Sequence, residues 1–173
     1  MMNAIEALRE RYRPTQVRLL FLGESPPVSG QFFYQGGTDL ELYTRRAHER
    51  AFSMTFATSH DFLDFFQASG SWLDDICHLP VNHLASRQRR SALRESLADL
   101  SCRLQACSPD EIVVVVKRVH PLVCRAVKTA GLDVPVHALP FPGYRWQDAY
   151  RRGLEEILRS AIDRRLLLNG TQT

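Results

Sequence analysis

Short apolar runs alternate with amphipathic stretches along the whole chain. Four runs are short, apolar and stopped by turn residues, which predicts buried strands over residues 17–22, 71–77, 111–117 and 134–139. Around them, helical spacing of apolar residues predicts helices over residues 3–13, 39–52, 61–68, 121–131 and 148–165, with one long basic helix from Ser86 through Leu104. This alternation favours a three-layer α/β/α sandwich with a central four-stranded, mostly parallel sheet.

Length and composition indicate the number of domains and the cellular location. The 173 residues fit a single domain, residues 1–173, without repeats or low-complexity linkers. No apolar run is long enough to cross a membrane, and the charged first 13 residues lack the apolar core of a signal peptide. We therefore expect a cytoplasmic protein.

The positive charges are clustered although the formal net charge is only +3. Arginines are concentrated at 87, 89 and 90, at 151 and 152, and at 164 and 165. Planar guanidinium groups suit bidentate phosphate contacts, although such clusters also occur on solvated helix faces. The four cysteines are irregularly spaced and the histidines are scattered, so we expect reduced, mostly buried thiols and no metal site.

Three loops should meet at the carboxyl edge of the sheet, where ligands bind in open α/β folds. They span residues 24–34, 74–82 and 140–147, and each combines an acid or aromatic side chain with proline or glycine. The phosphate-loop and dinucleotide fingerprints are absent, as is the frame of a serine nucleophile elbow. The edge is thus expected to form a stiff pocket lined by rings and a few polar groups.

Two of these loops resemble motifs of the uracil-DNA glycosylase superfamily. The segment Gly23-Glu24-Ser25-Pro26-Pro27 looks like the first family motif, which reads Gly-Gln-Asp-Pro-Tyr, Gly-Glu-Ala-Pro-Gly or Gly-x-Asn-Pro. The rings Phe32-Phe33-Tyr34 follow where the family keeps a ring that stacks on the flipped base. The segment Leu139-Pro140-Phe141-Pro142-Gly143 resembles the second motif, His-Pro-Ser.

The resemblance implies cleavage of the N-glycosidic bond of a flipped nucleotide. Glu24 would orient water or stabilise the cationic sugar, and Phe33 or Tyr34 would stack on the base. Contacts to DNA would come from the first and last loops, through Ser25, Gly143, Tyr144, Arg145 and Gln147. Tyr144 or Trp146 would fill the space left by the flipped nucleotide. The alternatives are a loop-capping or salt-bridging role for Glu24, core packing for the rings and helix packing for Trp146.

Three departures from the family pattern bear on the substrate. Phe141 stands where the family has the histidine that stabilises the leaving base, and His120 is expected to lie in a different loop. Asp74 takes the place of an asparagine that reads the uracil edge, and a carboxylate suits the amino group of cytosine better than O4 of uracil. Pro27 replaces a tyrosine that excludes substituents at C5 of the pyrimidine. These changes favour a modified cytosine over uracil, and with it a role in defence against phage with modified DNA.

Three other functions are consistent with the sequence. They are a uracil-DNA repair glycosylase, a catalytically inactive DNA-binding relative, and a small-molecule nucleoside or phosphate enzyme. Some relatives hold an iron–sulfur cluster through cysteines that include a pair near the N-terminus, but no cysteine precedes Cys77. We expect no cluster and no other cofactor, and a monomer that acts on double- or single-stranded DNA.

Overall fold

A four-stranded parallel sheet forms the centre of the computed structural model, which describes residues 4–167. Its strands are β1 (Leu19–Gly23), β2 (Ser71–Asp75), β3 (Glu111–Val114) and β4 (Val136–Ala138). The spatial order is β2-β1-β3-β4, with Phe21 of β1 aligned with Leu73 of β2 and Val113 of β3. The first three strands are buried along their whole length, in keeping with a parallel sheet covered on both faces.

Seven α-helices surround this sheet within the described part of the chain. They are α1 (Ala4–Arg11), α2 (Asp39–Phe52), α3 (Ser59–Ala68), α4 (Ser86–Glu95), α5 (Leu97–Cys107), α6 (His120–Thr129) and α7 (Gln147–Asp163). Short 3-10 helices follow β1 at Phe33–Gln35 and β3 at Lys117–Val119. The three-layer α/β/α fold expected from the sequence is confirmed.

The helices form two layers, one on each face of the sheet. Helices α2, α3 and α7 pack together, and the Thr44 and Tyr150 hydroxyls lie 2.7 Å apart where α2 meets α7. Phe21 of β1 points into this layer and packs on Phe66 of α3. Helices α5 and α6 pack against each other in the second layer, next to α4.

The long basic helix expected from Ser86 is interrupted. Ser96 separates α4 from α5, and its hydroxyl donates a hydrogen bond of 2.9 Å to the carbonyl of Ala92. Such a bond from serine to the carbonyl four residues earlier competes with the helical pattern and commonly bends a helix. The leucine spacing continues across this break, so periodicity alone does not reveal it.

Helix α1 covers the exposed edge of the sheet at β2. The Trp72 indole donates to the carbonyl of Arg9, at 3.0 Å. The Arg9 side chain is fully buried, with Nη2 2.7 Å from Asp75 Oδ2 and Nε 3.2 Å from Asp74 Oδ1. A buried arginine requires such partners, and here they fix α1 to the end of β2.

Other expectations have mixed outcomes. All four cysteines are free, but only Cys77 is buried; Cys102 is exposed and the other two are partly exposed, so the expectation of mostly buried thiols was wrong. No helix among residues 4–167 is long and apolar enough to span a membrane. The sequence also predicts a frayed tail from Asn169, but this segment lies outside the described residues.

Candidate active site

A cavity of about 390 Å³ opens at the carboxyl edge of the sheet, where β1, β2 and β3 end. It adjoins the loop after β1, the start of α2, Arg89 of α4 and Phe141 after β4. The polar lining residues are Glu24, Ser25, Gln31, Thr38, Asp39, Asp75, Asn82, Arg89 and Arg118, and the rest of the lining is glycine or apolar. Its size lies within the range of about 300–1,000 Å³ typical of small-molecule sites.

Glu24 is held at one side of this cavity by two arginines. Its carboxylate accepts a bidentate pair from Arg89, with Nε 2.5 Å from Oε1 and Nη2 2.6 Å from Oε2. Arg118, from the 3-10 helix after β3, also donates to Oε2. The Glu24 side chain is only 7% exposed, whereas that of Arg118 is 60% exposed.

These contacts determine the charge of Glu24. Burial acts to raise its pKa, but the hydrogen bonds and charges of Arg89 and Arg118 outweigh burial and hold the pKa below its ordinary value. Glu24 therefore remains ionised at neutral pH. Because its pKa is lowered, Glu24 is better suited to stabilise a neighbouring positive charge than to take up a proton.

Asp75 also lines this cavity, whereas Asp74 does not. Side chains alternate along a strand, so the two aspartates leave opposite faces of the sheet. Asp75 reaches the cavity beside Gly23, where a Cβ would collide with Asp75 Oδ1. Asp74 instead faces α5, where it pairs with Arg103 and, at 2.8 Å, with His78. The structure thus does not bring the predicted base-reading residue Asp74 to the site and places its neighbour there.

The electrostatics of Asp75 differ from those of Glu24. Burial raises the pKa of Asp75, and the opposing effect of Arg9 only partly offsets it. The cavity consequently contains one carboxylate that ionises more readily than usual and one that ionises less readily. Such a separation is common where two acids have different tasks in one site.

The aromatic residues after β1 are divided between cavity and core. Phe32 and Phe33 line the cavity, and Phe33 also packs on Phe66 with ring centroids 5.3 Å apart. Tyr34 does not line it, because its ring stacks on Tyr12 and its hydroxyl bonds the backbone of Leu73 in edge strand β2. Of the two predicted stacking rings, only Phe33 therefore reaches the site.

Pro27 and Ser25 both line the cavity, as the first-loop prediction requires. The Ser25 hydroxyl accepts a bond of 3.3 Å from the Val81 amide. Asn82 accepts another from the Val28 amide, at 3.2 Å. These two bonds join the loop after β1 to the loop after β2 and stiffen one wall of the cavity.

The predicted DNA-contact loop lies outside the cavity lining. Tyr144 and Trp146 are 85% and 58% exposed, and Arg145 has a positive φ of 72°. Gly143 approaches the Phe141 ring, and Gln147 begins α7. The exposure of Trp146 does not match the alternative in which it packs α7 onto the sheet. Phe141, 45% exposed, is the residue of this segment that lines the cavity.

His120 is not brought to the site. It begins α6, and its Nε2 lies 3.4 Å from both the Val136 carbonyl and Cys124 Sγ. It does not line the cavity beside Phe141. The position of the missing family histidine is therefore not filled by His120.

The charged site residues Asp75, Arg89 and Arg118 were not predicted from the sequence, and neither were the polar lining residues Gln31 and Asn82. Once β2 is aligned with β1, the alternation of side chains along a strand places Asp75 and Asp74 on opposite faces of the sheet. Arg89 belongs to the basic cluster noted in the sequence. No signal in the sequence pointed to Arg118, which arrives from another loop. Within residues 4–167, no group of histidine, cysteine or acidic side chains has the arrangement of a metal site. In sequence comparisons, no family model and no curated protein matches this chain.

Proposed function

We propose that this chain is a DNA glycosylase that removes a modified pyrimidine, with modified cytosine favoured over uracil. The observation that carries the proposal is the cavity itself, which combines the ionised Glu24, an apolar wall with Phe33 and a rim of arginines. These are the features needed to hold a flipped base, stabilise a cationic sugar and bind the adjoining phosphates. Among known families, the motif resemblance points to the same chemistry.

In this mechanism the electron pair of the N-glycosidic bond leaves with the base, and the sugar acquires oxocarbenium character. The fixed negative charge of Glu24 stabilises this cation. Water then attacks C1′ and gives up a proton to solvent, and the departing base anion takes up a proton from solvent. The arginines orient Glu24 in the free protein. Because Arg118 is largely exposed, a DNA phosphate can bind it in place of Glu24, so that the negative charge of Glu24 is less neutralised when substrate is bound.

Asp75 and Pro27 support the assignment to cytosine-type bases. An ionised Asp75 accepts a hydrogen bond from an exocyclic amino group but repels a carbonyl oxygen. Pro27 adds little bulk to the cavity wall, and Gln31 and Asn82 offer polar groups for a hydroxylated substituent on C5. A glycosylase of this specificity would act on phage DNA with modified cytosines, and we propose that role in the cytoplasm for a monomeric protein.

The test compares wild type with Glu24→Gln on matched duplexes. Each duplex carries one uracil, cytosine, 5-hydroxymethylcytosine or glucosylated 5-hydroxymethylcytosine, and alkali converts any abasic site into a strand break. We expect cleavage at a modified cytosine and a loss of about 10²–10³-fold in Glu24→Gln, the scale of removing one preorganised electrostatic group. Glu156→Gln, an exposed acid of α7 outside the cavity lining, provides the matched control variant.

The remaining functions give different results in the same assay. Robust excision of uracil alone would establish a repair enzyme and refute the modified-cytosine assignment. DNA binding without any abasic product, equal in both proteins, would establish a binding protein; the saturation of Glu24 by two arginines is the observation that favours it. Absence of DNA binding would favour a small-molecule nucleoside or phosphate enzyme.

A further inference from the structure

A second groove of about 390 Å³ adjoins the candidate active site on the α4 side of the sheet. One wall is α4, with Arg90, Leu93 and Arg94, and the other is the start of α6. Its floor is apolar, because Leu93 and Val119 are buried and Leu122 lies beside them. The predicted DNA-contact loop at 143–147 is not part of it.

Two arginines of this groove, Arg90 and Arg94, are free to bind a ligand. They make no ion pair or side-chain hydrogen bond with any residue of the described range 4–167, and both are exposed. Arg90 and Arg94 are one helical turn apart and so lie on the same face of α4. Among the residues that the structure describes, Glu24 is the one acid that lines the groove, and it is already paired with Arg89 and Arg118.

The groove and the cavity share one boundary. Glu24, Arg89 and Arg118 line both spaces, so a chain that places one unit in the cavity can continue directly into the groove. The groove offers guanidinium groups along its wall and an apolar floor. Phosphodiester groups match the first feature, and the deoxyribose between them matches the second.

We infer that the α4 groove binds the backbone of the DNA strand that carries the flipped nucleotide, with Arg90 and Arg94 on its phosphates. This inference rests on the proposed function. It assigns sequence-independent DNA affinity chiefly to α4. Arg89 and Arg118 then link backbone binding to the catalytic carboxylate, because they touch both the groove and Glu24.

The test uses Arg90→Gln/Arg94→Gln, with Arg50→Gln/Arg152→Gln as the matched control. Both control arginines are exposed and belong to the α2–α7 layer on the other face of the sheet. Their substitution removes the same charge as the groove variant. Binding of a fluorescein-labelled duplex with one 5-hydroxymethylcytosine is measured by anisotropy over a series of salt concentrations. We expect the groove variant to bind at least about tenfold more weakly and its slope of log K against log salt to fall by about 1.8, at about 0.9 per phosphate contact. The control variant should retain most of the wild-type affinity and most of the wild-type slope.

Circular dichroism melting of each variant establishes that it is folded. Equal losses in the two double variants, or no loss in either, would overturn the groove assignment while leaving excision by wild type intact. Selective loss in the groove variant, with no abasic product from any protein, would support the groove and refute the glycosylase. Failure of wild type to bind DNA would overturn both.

Discussion

In the proposed function, Asp75 is the residue that would read the base. We predict that Asp75→Asn shifts preference from modified cytosine toward the matching modified uracil by about tenfold or more, because the amide nitrogen of asparagine can donate to O4. The change keeps the size of the side chain beside Gly23, so the fold should persist. Rates of excision from duplexes with 5-hydroxymethylcytosine and 5-hydroxymethyluracil measure the effect.

Asp74→Asn is the control for this substitution. Asp74 faces α5 and its partner Arg103, so its replacement should lower stability without changing the ratio of the two rates. An unchanged ratio in Asp75→Asn, or an equal change in both variants, would contradict the base-reading assignment.

A site residue could be predicted from the sequence only where it directly follows a strand whose end is clear. Glu24, Pro27 and Phe33 follow directly from the end of β1 and all reach the cavity. To predict which of Asp74 and Asp75 faces the cavity, the alignment of β2 must be exact, because an error of one residue moves each side chain to the opposite face of the sheet. Tyr34 is aromatic like its neighbours Phe32 and Phe33, but its hydroxyl bonds the backbone of edge strand β2, so its ring does not line the cavity.

Among the elements, α2 contributes a buried histidine that should make stability depend on pH. His48 packs among the rings of Phe52, Phe62 and Phe66, and its Nδ1 lies 2.8 Å from the Thr44 carbonyl. Burial lowers the pKa of His48 to about 4, although the bond to Thr44 opposes this effect. An unfolded histidine titrates near 6.5, so the unfolded chain takes up a proton first as the pH falls.

The resulting prediction concerns the interval between pH 6.5 and 4. The contribution of neutral His48 is complete above about pH 6.5, and the free energy of unfolding should fall by about 3 kcal/mol as the pH approaches 4. His48→Leu removes this titration. Denaturant unfolding at several pH values should therefore show wild type losing more stability than the variant. Parallel curves for the two proteins would refute the assignment.

Elements were more predictable than site residues, because strand and helix periodicity depends on local patterns. All four strands form where apolar runs predict them, with ends that differ by a few residues. The break between α4 and α5 depends on one serine hydroxyl, and the arrival of Arg118 beside Glu24 depends on how separate loops pack. Neither contact has a periodic signature.

At the scale of the molecule, Arg9 connects the sheet edge to the candidate active site. It is fully buried on α1, pairs with Asp74 and Asp75, and its guanidinium lies 5.2 Å from the centre of the Phe32 ring. Asp75 and Phe32 both line the cavity. The same side chain thus closes the edge of the fold and fixes part of the cavity wall.

We predict that Arg9→Met lowers the free energy of unfolding by about 3–5 kcal/mol, because it leaves the buried Asp75 without its cation, whereas Asp74 keeps Arg103. Urea denaturation measures the loss, with exposed Arg50→Met expected to change stability by less than about 0.5 kcal/mol. Adding Asp75→Asn to Arg9→Met should recover part of the loss, since one unpaired charge is then removed. A destabilisation below about 1 kcal/mol, or no recovery in the double variant, would show that α1 is held by its apolar contacts and that Asp75 does not depend on Arg9.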